Sequence, residues 1–197
     1  MSDGIDIDFL KDSYARMSDD EITRICVNDG NGLTEAAQKL LKEEINKRGL
    51  NSNLIKGVAA QQKKYSDFEL LQCCEILRKL PSPTTVLTNE KLNGSLVMVT
   101  KSYLFIIQRK KEIIIDSPTQ LDKANNQALL TSCLLGWWEI PKGIAYTIQS
   151  INQNIKSKKT NHDFEPNLYL LDFVRTNIGI IETYKNDTEK LKQLITY

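Results

Sequence analysis

Thiol and imidazole chemistry has few residues to work with in this chain: one histidine, His162, and four cysteines, Cys26, Cys73, Cys74 and Cys133. A cysteine or serine nucleophile needs a base within reach. Imidazole and carboxylate are neighbours at His162-Asp163, inside the polar run KSKKTNHDFEPN (156–167). Adjacent residues rarely serve as base and orienter for each other, and the cysteines fall on amphipathic helical patterns. No C-x-x-C pair occurs, and Cys73-Cys74 is poor metal-ligand spacing. Cysteine is among the most buried residue types, so all four are expected as buried, reduced thiols. The chain has no Walker loop, G-x-G-x-x-G, H-E-x-x-H or G-x-S-x-G. No catalytic residue, metal or cofactor is assigned, and a cysteine-dependent enzyme ranks third among the readings.

Binding has better candidates. The stretch LLGWWEIPKGIAYTIQSI (134–151) places Trp137 and Trp138 beside Gly136, followed by Glu139, Pro141 and Lys142. A spanning helix needs about 20 apolar residues. The uninterrupted run Ala128–Trp138 has 11 residues. Glu139 and Lys142 would then lie near a bilayer centre, at about 2.5–3.5 kcal/mol each. Two helices meeting at a corner fit better. The first runs over about 122–138, and the second starts with Pro141 in its first turn, where a missing N–H does no harm. Ile144, Ile148, Ile151 and Ile155 recur at helical spacing, and Gly136 and Gly143 permit close approach at the corner. The first expectation is that this hairpin packs its apolar faces on a sheet. The second is an interfacial role with the tryptophans at the water boundary, and the third a pocket walled by Trp137 and Trp138. Lys156, Lys158 and Lys159, with Lys110 and Lys111, could meet phosphate or anionic lipid, although such runs usually only solvate a loop.

The elements that must position these residues can be read in outline. Hydrophobic content of 41% with 26% charged residues indicates a folded chain rather than a disordered one. A net charge of +1 argues against a dedicated nucleic-acid binder. Ile5, Ile7, Phe9, Leu10 and Tyr14 open an amphipathic pattern, and Ser18-Asp19-Asp20-Glu21 is a capping box. Ile22, Ile25 and Cys26 follow. Thr34 caps a helix carrying Ala37, Leu40, Leu41 and Ile45, with Lys47 and Arg48 at its negative end and Gly49 as a left-handed stop. Residues 51–65 read as a linker, with part of it open to a helical reading. Ser66-Asp67-Phe68-Glu69 opens a helix to about Leu80, ended by Pro81 and Pro83.

From Thr84 the period becomes two. Strands are expected at 95–100, 102–108, 112–116, 167–174 and 178–184, the last two joined by a turn at Thr176-Asn177. Asp187 caps a final helix over 188–196. The fold class is therefore α+β: an N-terminal helical module (1–50), a linker (51–65), and an α+β domain (66–197) with an antiparallel sheet, an inserted helical hairpin and a C-terminal helix.

Two segments resemble uncharacterised bacterial proteins. Tyr14-x-x-Met17-Ser18-Asp19-x-Glu21, Leu33-Thr34 and Leu41-x-x-Glu44-Ile45-x-x-Arg48-Gly49-Leu50 are similar to a short helical element, which usually has Pro-Glu-Ala where this chain has Glu35-Ala36-Ala37. Leu134-Leu135-Gly136-Trp137-Trp138-x-Ile140-Pro141-x-Gly143, with Tyr146-Thr147-Ile148-Gln149, resembles a segment reading Leu-Leu-Gly-Trp-Trp-Gly-Ile-Pro-Trp-Gly then Tyr-Thr-Ile-Gln. Glu139 and Lys142 depart from it toward polarity. The resemblances imply a bacterial source and an appended helical module, and no activity. The acidic start MSDGIDIDFLKD lacks the basic and apolar regions of an export signal, so a cytoplasmic location is expected. The leading functional expectation is a non-catalytic binding protein with a protein partner. The runner-up meets an anionic membrane surface through Trp137, Trp138, Glu139 and Lys142 with nearby lysines, and specific nucleic-acid binding is not expected.

Overall fold

The computed structural model describes residues 7–84, 90–103 and 105–196. Ile5 and Leu104, which carried parts of the expected patterns, lie outside the described residues, as does the first half of the acidic start. In chain order the elements are α1 (Ile7–Arg16), α2 (Asp19–Asn28), α3 (Glu35–Arg48), α4 (Leu54–Gln62), α5 (Asp67–Arg78), β1 (Asn93–Tyr103), β2 (Ile106–Asp116), α6 (Pro118–Leu135), α7 (Lys142–Asn161), α8 (Leu168–Thr176), α9 (Ile178–Thr183) and α10 (Thr188–Ile195). The fold is α+β, with a two-stranded antiparallel sheet. It divides into two compact units: one of 1–66 with 176–191, the other of 67–175 with 192–197.

The first unit forms as its local signals dictate. Glu21 N–H donates to Ser18 Oγ at 3.3 Å and Ser18 N–H to Glu21 Oε2 at 2.7 Å, completing the capping box of α2. Thr34 Oγ1 accepts from Ala37 N–H, and Gly49 ends α3 with φ +68°. The core gathers Tyr14, Ile22, Cys26, Val27, Leu41, Ile45, Leu54 and Val58. Arg48 serves a second helix besides its own. Its guanidinium donates to the α1 carbonyls of Tyr14 and Ala15 and to Met17 O, while Glu44 Oε1 and Asp19 Oδ1 neutralise it at 2.7 and 3.0 Å. The terminal carbonyls of α1, which lack helical partners, thus acquire charged donors.

Residues 51–65, expected as a linker, hold α4 instead, with Leu54, Gly57, Val58 and Ala60 buried. Two glutamines stitch it down. Gln61 Nε2 donates to Cys26 O at 2.7 Å and its Oε1 accepts Gly30 N–H at 2.9 Å, while Gln62 Nε2 reaches the carbonyls of Gly30 and Leu33. Against α4 lies α9, contributed by residues 178–184, which were expected as a strand. The two helices meet at glycines. A Cβ on Gly57 would come within 2.2 Å of Thr183 Oγ1 and 2.8 Å of Gly179 O, and one on Gly179 within 2.3 Å of Val27 O.

In the second unit the sheet has two strands where five were expected. The 95–100 segment lies in β1, 112–116 ends β2, and 102–108 straddles the turn between them. Residues 167–174, also expected as a strand, start α8. Asn167 decides this. Its Oδ1 accepts Leu170 N–H at 3.0 Å, capping the helix, and its Nδ2 donates to Gly94 O at 2.6 Å. Leu170 and Val174 are then buried one turn apart. An apolar run of this length has no period that separates helix from strand. On α5 the face buried is Leu70, Cys73, Cys74 and Leu77, leaving Phe68 exposed. Buried Arg78 donates to Leu92 O at 3.1 Å and Phe164 O at 2.7 Å.

Gly57→Ala should lower the stability of the first unit by about 1–3 kcal/mol, the usual cost of overpacking. Gly32→Ala, where a Cβ meets nothing within 4 Å, should change it by less than about 0.5 kcal/mol. Urea unfolding of both variants checks the close α4–α9 approach.

Candidate functional site

The sheet and the α6–α7 hairpin position the predicted residues, and their packing reverses the usual order. In an antiparallel ladder every second residue turns its N–H and C=O away from the partner strand. In β1 these include Gly94, Leu96, Met98 and Thr100, and side chains take up most of their groups. Asn154 reads Met98 from both sides, accepting its N–H on Oδ1 at 3.1 Å and donating from Nδ2 to its carbonyl at 2.6 Å. Ser157 Oγ donates to Leu96 O at 2.9 Å, and Thr100 N–H donates to Ser132 Oγ at 3.1 Å. With Asn167 on Gly94, polar side chains line the edge of β1 from Gly94 to Thr100.

The buried stripes of the hairpin follow from this. On α7 they are Gly143, Thr147, Ser150, Asn154, Ser157 and Asn161, and on α6 Leu121, Asn125, Ala128 and Ser132. Ser95 Oγ and Asn161 Nδ2 both donate to Asn125 Oδ1, so the polar seam is continuous. The expected apolar face is not the most buried one: Ile148 and Ile155 are exposed and Ile144 and Ile151 only half-buried, while Leu130 and Leu134 are exposed on α6. The predicted close approach at the corner is present. A Cβ on Gly136 would sit 1.9 Å from Thr147 Oγ1, and one on Gly143 2.9 Å from Gly136 O.

The corner itself is an apolar tip. Ser102 Oγ donates to Leu135 O at 3.2 Å and accepts Trp138 N–H at 2.9 Å, fixing the corner against the end of β1. Three residues beyond Ser102 comes Phe105, in the β-turn and 93% exposed. Trp138 is 68% exposed, Ile140 76% and Trp137 38%. The tryptophans are therefore not core residues. Their indole N–H groups donate back to α6, Trp137 to Cys133 O at 2.6 Å and Trp138 to Leu134 O at 3.3 Å, so each ring presents its apolar body outward. Ile140 of the expected corner shares this surface, and Tyr103, Phe105 and Ile106, which were not expected in it, are exposed as well. An aromatic residue in a hairpin turn, where polar residues are usual, is the signal that marks Phe105.

The polar candidates divide between two places. Glu139 accepts Gly143 N–H at 2.8 Å and so starts α7, and Lys142 is exposed beside it. Lys156, Lys158 and Lys159 were expected in a polar loop. They lie instead on the last turns of α7, and Lys158 donates to Asn126 Oδ1 at 2.8 Å. At 1.5 Å rise per residue, Lys158 stands roughly 24 Å along the helix from Lys142. The structure does not bring these lysines to the tip. Lys110 and Lys111 occupy the middle of β2, with Lys110 Nζ 2.6 Å from Glu112.

His162 ends α7 and meets Asp122, not Asp163, at 3.1 Å. Partial burial pushes the Asp122 carboxyl up, but hydrogen bonds from Asn161 and His162 outweigh it and hold the group below its ordinary range. Among the described residues, no group of three or more His, Cys, Asp or Glu side chains is placed to hold a metal ion. Burial pushes the Cys26 thiol up to about 11 and, with Cys73 beside it, the Cys74 thiol up to about 12. Cys133, expected to be buried, is exposed.

Two measurements test this packing. Asn154→Leu strands both backbone groups of Met98 and, at about 1–3 kcal/mol for each orphaned group, should cost about 2–6 kcal/mol in denaturant unfolding, with Ile155→Ala nearly neutral. In the folded protein a thiol reagent at neutral pH should modify exposed Cys133 and leave buried Cys26 and Cys74 untouched, as mass spectrometry of the labelled peptides will show.

No protein-family model, curated protein or solved structure matches the chain.

Proposed function

We propose that this is a non-catalytic binding protein of the bacterial cytoplasm, and that it docks on an anionic membrane surface through the tip of its second unit. The observation that supports this most directly is the outward aim of Phe105, Trp138 and Ile140 at the place where the β-turn and the helical corner converge. Apolar residues gathered at one end of a folded unit mark an interaction site. Phe or Ile gains about 1.5–3 kcal/mol on leaving water completely. Tryptophan prefers the headgroup boundary, where an apolar ring and a polar N–H are both accommodated. The only acidic side chain of the corner, Glu139, is tied to the start of α7, and Lys142 is exposed three residues on, a cation that can meet lipid phosphate.

This is insertion to a shallow depth. Among the described residues no helix is long and apolar enough to cross a membrane. The apolar outer faces of α6 and α7 near the corner, at Leu134 and Ile148, continue the surface along the helices.

Flotation of the purified protein with vesicles of phosphatidylglycerol and phosphatidylcholine tests the proposal. The native chain should float with anionic vesicles. Trp138→Ala with Ile140→Ser should abolish flotation while leaving thermal stability within about 1 kcal/mol, because exposed side chains contribute little to folding. A native chain that stays with the soluble fraction at low salt would overturn the membrane reading, leaving the tip to a protein partner.

A further inference from the structure

The two edges of the sheet are treated differently. Most outward backbone groups of β1 are taken up by side chains, those of Asn154, Ser157, Ser132 and Asn167 among them, whereas those of β2 are left open. Ile107, Arg109, Lys111 and Ile113 pair with Ser102, Thr100, Met98 and Leu96, so antiparallel geometry turns their N–H and C=O groups outward on the far side. Among the described residues no hydrogen bond reaches these backbone groups. We propose that the outer edge of β2 accepts an extended acidic segment of a partner protein as a third strand.

A neighbouring cleft supplies side-chain recognition. Helix α6 packs on β1 and barely reaches β2, leaving a cleft of about 650 Å³ between the helix and the sheet. Val97, Val99, Ala128 and Ile114 give it an apolar floor, and Lys101 and Lys110 stand at its rim. Side chains on an added strand alternate between faces, so every second one would project toward this cleft. Main-chain hydrogen bonds with alternate side-chain pockets are the ingredients of strand addition.

Charge selects the occupant. Arg109, Lys110 and Lys111 are exposed, and Glu112 offsets Lys110 alone. A second copy pairing β2 to β2 about Lys110 would set this cationic triplet against itself, and like charges directly opposite are destabilising. A segment alternating apolar and acidic residues meets both the floor and the cations. Lysines on an edge can also serve only to repel other strands, and that alternative predicts no binding of any extended peptide.

The test uses the full chain and three fluorescent peptides: one alternating valine and glutamate, its lysine counterpart, and the glutamate peptide N-methylated at alternate residues. The glutamate peptide should bind and slow hydrogen exchange at the amides of Ile107, Arg109 and Lys111. N-methylation and the lysine counterpart should each weaken binding at least about tenfold, through lost main-chain bonds and like-charge repulsion. Lys110→Glu with Lys111→Glu should reverse the charge preference with an unchanged thermal melt. Trp138→Ala with Ile140→Ser should leave peptide binding intact, which separates this edge from the membrane tip. Absence of peptide binding, equal binding of the N-methylated peptide, no protection at the three amides, or loss of binding in the tip variant would each overturn the proposal.

Discussion

The constraint on which the second unit turns is the unpaired edge of β1. A two-stranded sheet buried on one side must satisfy backbone donors and acceptors that no third strand covers, and buried polar groups without partners are costly. Here two helices take the place of the strand. They do so with side chains short enough to let the backbones come near: serine and asparagine at the seam, glycine at the corner. Asn154 is the central piece, since its amide offers a donor and an acceptor in the plane that a neighbouring peptide unit would have used.

From that follows the inverted character of the hairpin. A helix that spends its buried face on polar seam residues has only its outer face left for isoleucine, leucine and tryptophan. The apolar tip and the polar interior are thus one design seen from two sides. The sheet obtains partners on β1, the helices obtain outward apolar surface, and β2 keeps an open flank with a cationic stripe.

What the chain discloses before it is folded depends on how local the deciding interaction is. Ser18, Glu21, Thr34 and Gly49 act within four residues, so α2 is legible from its start and α3 at both ends. The α6–α7 hairpin, its two glycines and the prominence of Trp137 and Trp138 are legible too. Which face goes inward is not, because Ile144, Ile148, Ile151 and Ile155 and the stripe Thr147, Ser150, Asn154, Ser157 and Asn161 share the helical period. The choice belongs to a strand edge 56 residues away (Met98 to Asn154). Likewise α8 and α9 are set by Asn167 and by the Gly57–Gly179 approach, neither visible in an apolar run read alone. The 51–65 stretch looks like a linker because its glutamines are polar, yet Gln61 and Gln62 spend that polarity on the carbonyls of Cys26, Gly30 and Leu33.

The path of the chain through the first unit carries a further consequence. Its helix α4 lies before the second unit in sequence and its helix α9 after it, so residues 67–175 form an excursion within a unit that begins and ends elsewhere. Closing that excursion carries an entropic cost that rises only with the logarithm of its length, but it orders events in time. On a ribosome the helices α1 to α4 emerge first and wait, with the glycine face of α4 uncovered, until the whole sheet and helical hairpin have been synthesised and α9 arrives. The N-terminal segment is therefore a receptor site for a later part of its own chain.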